Sequence, residues 1–410
     1  MFGIICLDKD DCQMDSYSSI QFHRTLLRDA VRTRAYQKSI ARVVSPGDVV
    51  LDLGSGSGVL AMFACQAGAA RVYAVERTDV ILAAQRLAQA NGMAQRIQFL
   101  HGDAEVLQLP EKVDVIVSEL ISKAVLGQRM EALLLAAKKR LLKPQGKMLP
   151  QSVELCVAPI EASEKYSLLE FPPSAAYGID FSGLRDLAFN NTESGRFRAR
   201  NLLAPPQAAY RFEAHASKRP GPRQRLSFLV RRKAVLHGFC AWFSAILYPG
   251  ITIDTAPPGL PSWDNLFFPL LHPAELTRGT TIELNLKGTE TPDGVIWHWE
   301  TVVKGPQGIS GRYRQSTFWG SPVSRQTVAR NSLKYKPLRS RWGEIEQSIL
   351  SLCDGTRNLR EIASQLRLRY GKELPSQRGA ETAVRRILND MAIQGALDTK
   401  PVPLTARAGL

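Results

Sequence analysis

Between Val49 and about Leu149, short apolar runs alternate with amphipathic stretches. VVLDLGSGSG reads as a buried strand entering a glycine turn, and GVLAMFACQAG as the helix that follows, closed by Gly68. RVYAVE is the next strand, VILAAQRLAQANG the next helix, and RIQFLHGD the third strand. VDVIVSEL is a fourth strand, and MEALLLAAKKRLLKPQG reads as a basic-ended helix stopped by Pro144. Strands separated by helices in this way predict a parallel, doubly wound sheet over 46–150. Upstream, residues 1–45 read as a lead-in with helical stretches.

After Pro150 the texture changes. SVELCVAPI, RLSFLV, FCAWFSAIL, TTIELNLKG and VIWHWETVV are β-like runs punctuated by Pro and Gly. They predict a mainly antiparallel domain over 151–330, with one helical insertion within 161–189. NSLKYKPLRSRW, at 331–342, reads as a basic linker. Three short helices follow, in EIEQSILSLCDG, LREIASQLRLRYG and GAETAVRRILNDMAIQGAL, as in a small winged-helix unit; the last ten residues read as a frayed tail.

Composition narrows the class. The chain has 410 residues, 44% hydrophobic and 22% charged, which excludes a wholly disordered or fibrous protein. No long uncharged apolar run predicts a spanning helix. The N-terminal MFGIICLDKDDCQ lacks the basic region and longer apolar core of a signal peptide, so a cytoplasmic location is expected. The six cysteines are scattered without a CxxC, and neither a disulfide framework nor a metal site is expected. Net charge is +15, and residues 191–233 hold eleven Arg/Lys against two Glu. Such a surface suits an anionic partner, or is simply a solvated, arginine-rich one.

LDLGSGSG carries the candidate chemistry. A strand delivers Asp52, and Gly54, Gly56 and Gly58 allow tight turning and close backbone approach to a ligand. The spacing is G-x-G-x-G with no GK[ST] after it, so this is not a phosphate loop. Glu76 ends the second strand about 20 residues on, where a carboxylate accepts both hydroxyls of a ribose. Asp103-Ala104-Glu105 follows the third strand, where an adenine amine would be read. A nicotinamide cofactor competes for the same architecture.

VVLDLGSGSGVLAMFACQAGAARVYAVE resembles the S-adenosylmethionine motif of the protein arginine methyltransferases. DSYSSIQFHRTLLRDAVRTRAY resembles that family's N-terminal lid, VDVIVSEL the start of its acidic loop, YGIDFSGLRDLAF its helical dimerisation arm, and LHGFCAWFSAIL its β-barrel core. The resemblance covers roughly 14–315. It implies a Rossmann-like methyltransferase domain, a β-barrel domain with an arm at about 164–189, S-adenosylmethionine as cofactor, and a homodimer. It implies that Arg32 pairs with the cofactor carboxylate, where a guanidinium fork donates two parallel hydrogen bonds. Gly54 and Gly56 would line the methionine end, Glu76 the ribose, and Glu105 with Ala104 the adenine. Tyr17, His23 and Asp29 match lid positions beside the active site.

The acidic loop departs from the family. Two glutamates usually face the substrate guanidinium there. Glu119 occupies the first position, but the second falls on Gln128, with Glu131 one helical turn later as a substitute. The barrel's Thr-His-Trp stretch reads Pro261-Ser262-Trp263 here, so Ser replaces the His.

ILSLCDGTRNLREIASQLRLRYG…AVRRILNDMAIQGAL resembles the PqqD-like fold, a peptide-binding winged helix. Leu350, Leu359, Ile362, Leu366, Ile387, Leu388 and Leu397 fall at core-like spacing. The resemblance implies that a leader peptide adds as a strand to a β-ribbon, expected within 332–346, with Arg385 and Arg386 facing acidic leader residues. The combined expectation is a methyltransferase acting on arginine in a ribosomally synthesised precursor peptide. One rival is a general protein arginine methyltransferase acting on basic tails. Another is a nucleic-acid-binding winged helix, against which AVRRILNDMAIQG offers few residues for base readout. No membrane partner is expected.

Overall fold

The computed structural model describes residues 18–126, 130–173, 177–214, 223–291, 294–330, 332 and 334–393. The chain divides into two compact units, one ending at Pro322 and one beginning at Val323.

The first unit opens with two helices, α1 (Ile20–Arg28) and α2 (Ala30–Val43). Ser19 caps α1 by accepting from Phe22 N, and Asp29 caps α2 by accepting from Arg32 N. β1 (Val49–Leu53), α3 (Val59–Gln66), β2 (Arg71–Glu76), α4 (Val80–Ala90), β3 (Ile97–His101), β4 (Val113–Ser118), α5 (Met130–Leu141) and β5 (Leu142–Leu149) follow in the order that the alternating pattern predicts. The strands form a parallel sheet in the order β3-β2-β1-β4-β5. Strand order reverses between β1 and β4, and ligands of such sheets bind in the crevice beyond the strand ends at that point.

Pro144 corrects one expectation. It does not stop α5, which ends at Leu141; it lies inside β5. β5 is the outermost strand, and an edge strand tolerates a residue without an N–H.

Two antiparallel sheets make up the rest of this unit. β6 (Ser152–Ile160), β7 (Glu193–Gly195), β8 (Gln207–Glu213), β10 (Ala234–Tyr248), β11 (Ile251–Asp254) and β12 (Asn265–Leu276) form one. β9 (Arg223–Leu229), β13 (Thr281–Thr291), β14 (Gly294–Gly305) and β15 (Gly308–Ser316) form the other. Phe239, Phe243, Phe268 and Trp299 are buried among them, and Trp299 satisfies its indole N–H on Pro269 O at 3.1 Å. Between β6 and β7 the described residues form two helices, α6 (Ser163–Ser167) and α7 (Ser182–Phe189), where the sequence pattern predicts one helical insertion.

In the second unit, α8 (Arg325–Arg330) precedes α9 (Arg341–Leu352), α10 (Leu359–Arg369) and α11 (Gln377–Ile393). Asn358 and Glu361 form a capping box at the start of α10. Ile345, Ile349, Ile362, Leu366, Val384 and Ile387 share its core. Leu350 does not: it is 41% exposed, because Ile345 and Ile349 already define the inward face of α9 and Leu350 lies a quarter-turn away. Leu359 and Leu388 pack against that core half-buried, and Leu397 lies outside the described residues. The β-ribbon expected within 332–346 is absent among the described residues. That stretch is irregular up to Ser340, whose hydroxyl accepts from Gly343 N and starts α9. No strand occurs among the described residues of this unit, so the wing of a winged helix is not shown.

No helix among the described residues is long and apolar enough to cross a membrane. No group of three or more His, Cys, Asp and Glu is placed to hold a metal ion among them either.

Candidate functional site

The glycine turn leaves the end of β1. Gly54 and Gly56 take φ of +76° and +51°, left-handed values that a Cβ disfavours. Space is short as well. A Cβ on Gly54 would lie 2.7 Å from Leu120 Cδ2, and one on Gly56 would lie 2.6 Å from His23 Cε1. The turn therefore fits against the Glu119 loop on one side and against α1 on the other. Gly54 N and Ser55 N both donate to Val75 O, which ties the turn to β2.

Glu76 completes the turn. Its Oε2 accepts from Gly56 N at 3.0 Å, and its Oε1 accepts from Thr78 N and Thr78 Oγ1, both at 2.9 Å. The 20-residue spacing thus becomes a direct contact between a carboxylate and the glycine backbone. Thr78 was not legible as a partner, although it stands two residues beyond Glu76.

Asp52 is fully buried one residue before the end of β1. Its Oδ2 accepts from Ala61 N at 3.0 Å, and its Oδ1 has no partner. Burial pushes its carboxyl up to about 7, Glu76 adds to the rise, and the Ala61 N–H opposes it. Ser55 Oγ is likewise buried without a partner. Buried polar atoms are nearly always hydrogen-bonded, so two unpartnered ones call for an explanation, and a bound ligand is one.

Glu119 directly follows β4, on the other side of the strand-order reversal. Arg32 donates to Glu119 Oε2 through Nε at 3.1 Å and through Nη2. Both side chains are nearly enclosed, at 6% and 10% exposure. Burial opposes the Arg32 charge, but Glu119 outweighs it and the guanidinium titrates above its ordinary value. Trp263 lies under the same guanidinium, 5.8 Å from ring centroid to Cζ. Tyr36, one helical turn after Arg32, donates to Ser118 O at 3.0 Å. It was missed in the sequence, where only its spacing from Arg32 on α2 signals a shared face.

Asp29 is fully buried and joins distant parts. Its Oδ1 accepts from Arg32 N and its Oδ2 accepts from Ser262 N, each at 3.1 Å. Ser262 Oγ is buried without a partner. His23 is buried, with its ring against Gly56.

Ala104 and Glu105 follow β3 at the same end of the sheet as Glu76. Ala104 O accepts from Arg140 Nη2 at 3.0 Å, and Glu105 is exposed, its N donating to Asp103 Oδ1 at 2.8 Å. Glu131 is buried on α5 and accepts from the Tyr210 hydroxyl of β8, so its carboxylate is already engaged. Tyr17 and Gln128 lie outside the described residues.

Residues 33–149 match the family described as ribosomal protein L11 methyltransferase (PrmA), and residues 196–333 match the PRMT5 oligomerisation domain. Protein arginine N-methyltransferase 6 of Danio rerio is 38% identical over 265 residues, which cover 61% of this chain and 76% of that one. A probable protein arginine N-methyltransferase 6 of Arabidopsis thaliana is 34% identical over 248 residues, or 58% of this chain; the match spans only 57% of the Arabidopsis protein's length. The Trypanosoma brucei PRMT1 enzyme–prozyme heterotetrameric complex with AdoHcy superposes with a TM-score of 0.66 at 26% identity, over 73% of this chain and 98% of that one. On this similarity, and with the glycine turn, Glu76, Arg32 and Glu119 gathered at one sheet end, the chain belongs to the protein arginine N-methyltransferase family.

Proposed function

We propose that the chain transfers a methyl group from S-adenosylmethionine to an arginine side chain of a protein or peptide. The observation that carries this reading is the Arg32–Glu119 pair, set beside the glycine turn where the strand order reverses. The residues present fit the cofactor: Gly54 and Gly56 form a tight left-handed turn at the end of β1, and Asp52 Oδ1 and Ser55 Oγ beside it are buried polar atoms without partners. Glu76 would hold the ribose hydroxyls, Arg32 the carboxylate, Gly54 and Gly56 the methionine end, and Ala104 with Glu105 the adenine. When bound, the cofactor supplies an electrophilic methyl group on a sulfonium.

The chain's own contribution is positioning. Glu119 accepts hydrogen bonds from the substrate guanidinium and aims one nitrogen along the line of transfer. Its charge also draws the cation's positive charge away from that nitrogen, which keeps the lone pair usable. Arg32 would hold the cofactor carboxylate, and Glu119, its present partner, would then be available to the substrate. With Glu131 engaged by Tyr210, Glu119 is the one carboxylate among the described residues assigned to the acceptor.

Oligomerisation is part of the proposal. Leu168, Tyr177, Ile179 and Leu184, on or beside α6 and α7, are 45–78% exposed, and such an apolar arm suits a second copy of the chain. A precursor peptide held through its leader is the narrower version of the substrate. Its support is the LCDGT…EIA sequence pattern, since 332–346 offers no strand edge among the described residues.

Intact-mass spectrometry of arginine-containing peptides, incubated with the protein and S-adenosylmethionine, tests the reading. A gain of one methyl mass on arginine is expected, falling about 100-fold in rate with Glu119→Gln. Cofactor binding without any methylated arginine would overturn the substrate assignment. No cofactor binding would overturn the whole reading.

A further inference from the structure

The last helix, α11, carries a feature that the methyl-transfer reading does not use. Ala380, Val384 and Ile387 are buried and define its inward face. Directly opposite, Arg378, Thr382, Arg385, Arg386 and Asn389 are all exposed. At 3.6 residues per turn these five fall within an arc of roughly 100°. The helix starts at Gln377, two residues before the stretch the sequence pattern marks as helical, and that extra length adds Arg378 to the face. None of the three arginines has a carboxylate partner among the described residues, whereas Arg341, Arg357 and Arg360 of the same unit are all paired. The neighbouring Glu381 is turned aside, toward Arg360 and Gln377.

The surroundings have the same sign. Residues 323–343 contain six Lys/Arg and no Asp or Glu, and residues 323–410 contain sixteen Lys/Arg against eight Asp/Glu. The face thus consists of unpaired guanidinium forks with a hydroxyl and an amide between them. Those groups bind phosphates and base edges.

We propose that the exposed face of α11 docks on duplex DNA. Chemistry separates this partner from an acidic peptide. A peptide needs a strand edge or apolar anchor pockets. The unit shows no strand among its described residues, and its exposed large apolar side chains, Val328, Leu338, Trp342, Leu350 and Leu368 among them, lie on or next to α8, α9 and α10 rather than on this face. Shape separates it from duplex RNA. A helix about 10–12 Å across enters the major groove of B-form DNA, which is about 12 Å wide, but not the deep, narrow groove of A-form RNA.

The test is fluorescence anisotropy of the full chain with a labelled duplex of about 20 base pairs, from about 50 to 200 mM salt. Affinity falls steeply with salt. Replacing Arg378, Arg385 and Arg386 together by Gln lowers the slope of log K against log salt by roughly 2 to 3, and weakens binding about tenfold or more. Circular dichroism should be unchanged, because all three side chains are exposed. If the triple variant misfolds, Arg385→Gln alone takes its place, with a loss of about one unit of slope. Arg367→Gln, on α10, leaves binding nearly intact. Absent binding at low salt overturns the proposal, as does an unchanged slope in the variants. Tighter binding of poly-glutamate or of duplex RNA than of duplex DNA overturns it too. Methylation of a short peptide by the triple variant should match the unmodified chain, since α11 holds none of the residues assigned to transfer.

Discussion

Arg32 and Glu119 stand 87 residues apart in sequence and share one carboxylate oxygen, which takes both the Nε and the Nη2 of the guanidinium. The group assigned to the cofactor and the group assigned to the substrate therefore neutralise each other. Breaking a buried pair from one side strands a charge. Arg32→Ala should destabilise the fold by about 3–5 kcal/mol. The double change Arg32→Ala/Glu119→Ala should cost clearly less than the sum of the two single changes. Urea denaturation of the four proteins measures the coupling; additive losses would show that the pair does not form.

Asp52 gives stability a pH dependence. Its carboxyl titrates near 3.8 when unfolded and at about 7 in the folded chain, because burial disfavours the charge. Between those values the folded chain keeps a proton that the unfolded chain has lost. Stability then declines as pH rises from about 4 to 7, by up to roughly 4 kcal/mol, and levels off above. Thermal unfolding across this range should show the decline, and Asp52→Asn should flatten it.

Gly56→Ala adds a Cβ at a left-handed φ, which costs about 1–2 kcal/mol, and pushes it into the His23 ring. Calorimetry with S-adenosylhomocysteine should show weakened binding. The double variant Gly56→Ala/His23→Ala should recover part of the loss, because it removes the clash but not the backbone strain.

Leu168→Glu with Ile179→Glu places two charges on the exposed arm between β6 and β7. Light scattering should show a smaller assembly, with each subunit still folded. An unchanged mass would exclude the arm from the interface.

The parallel sheet was legible because its apolar runs and glycine turn are local signals. The 20-residue spacing from Gly56 singled out Glu76 for a ribose, but not its bond to the Gly56 amide. Pro144 misled, since its breaking power depends on whether its strand is central or at the edge, and strand order is not written in a single segment. Leu350 misled for a related reason: leucine spacing alone cannot choose between neighbouring faces of α9, whereas the Ile345–Ile349 pair does. The Asp29–Ser262 bond spans 233 residues and leaves no local trace. Arg32 and Asp29 became candidates only through the resemblance, because a short basic helix predicts no site by itself.

The two acceptor atoms of Asp29 have a kinetic consequence. One closes the first turn of α2, and the other holds a loop of the antiparallel domain. Any fluctuation that swings this carboxylate away exposes both amides together. Arg32 N–H and Ser262 N–H should then exchange with deuterium at a common rate, although their segments belong to different layers of the fold. Asp29→Asn, which leaves one acceptor and one donor, should speed exchange at one of these amides far more than at the other.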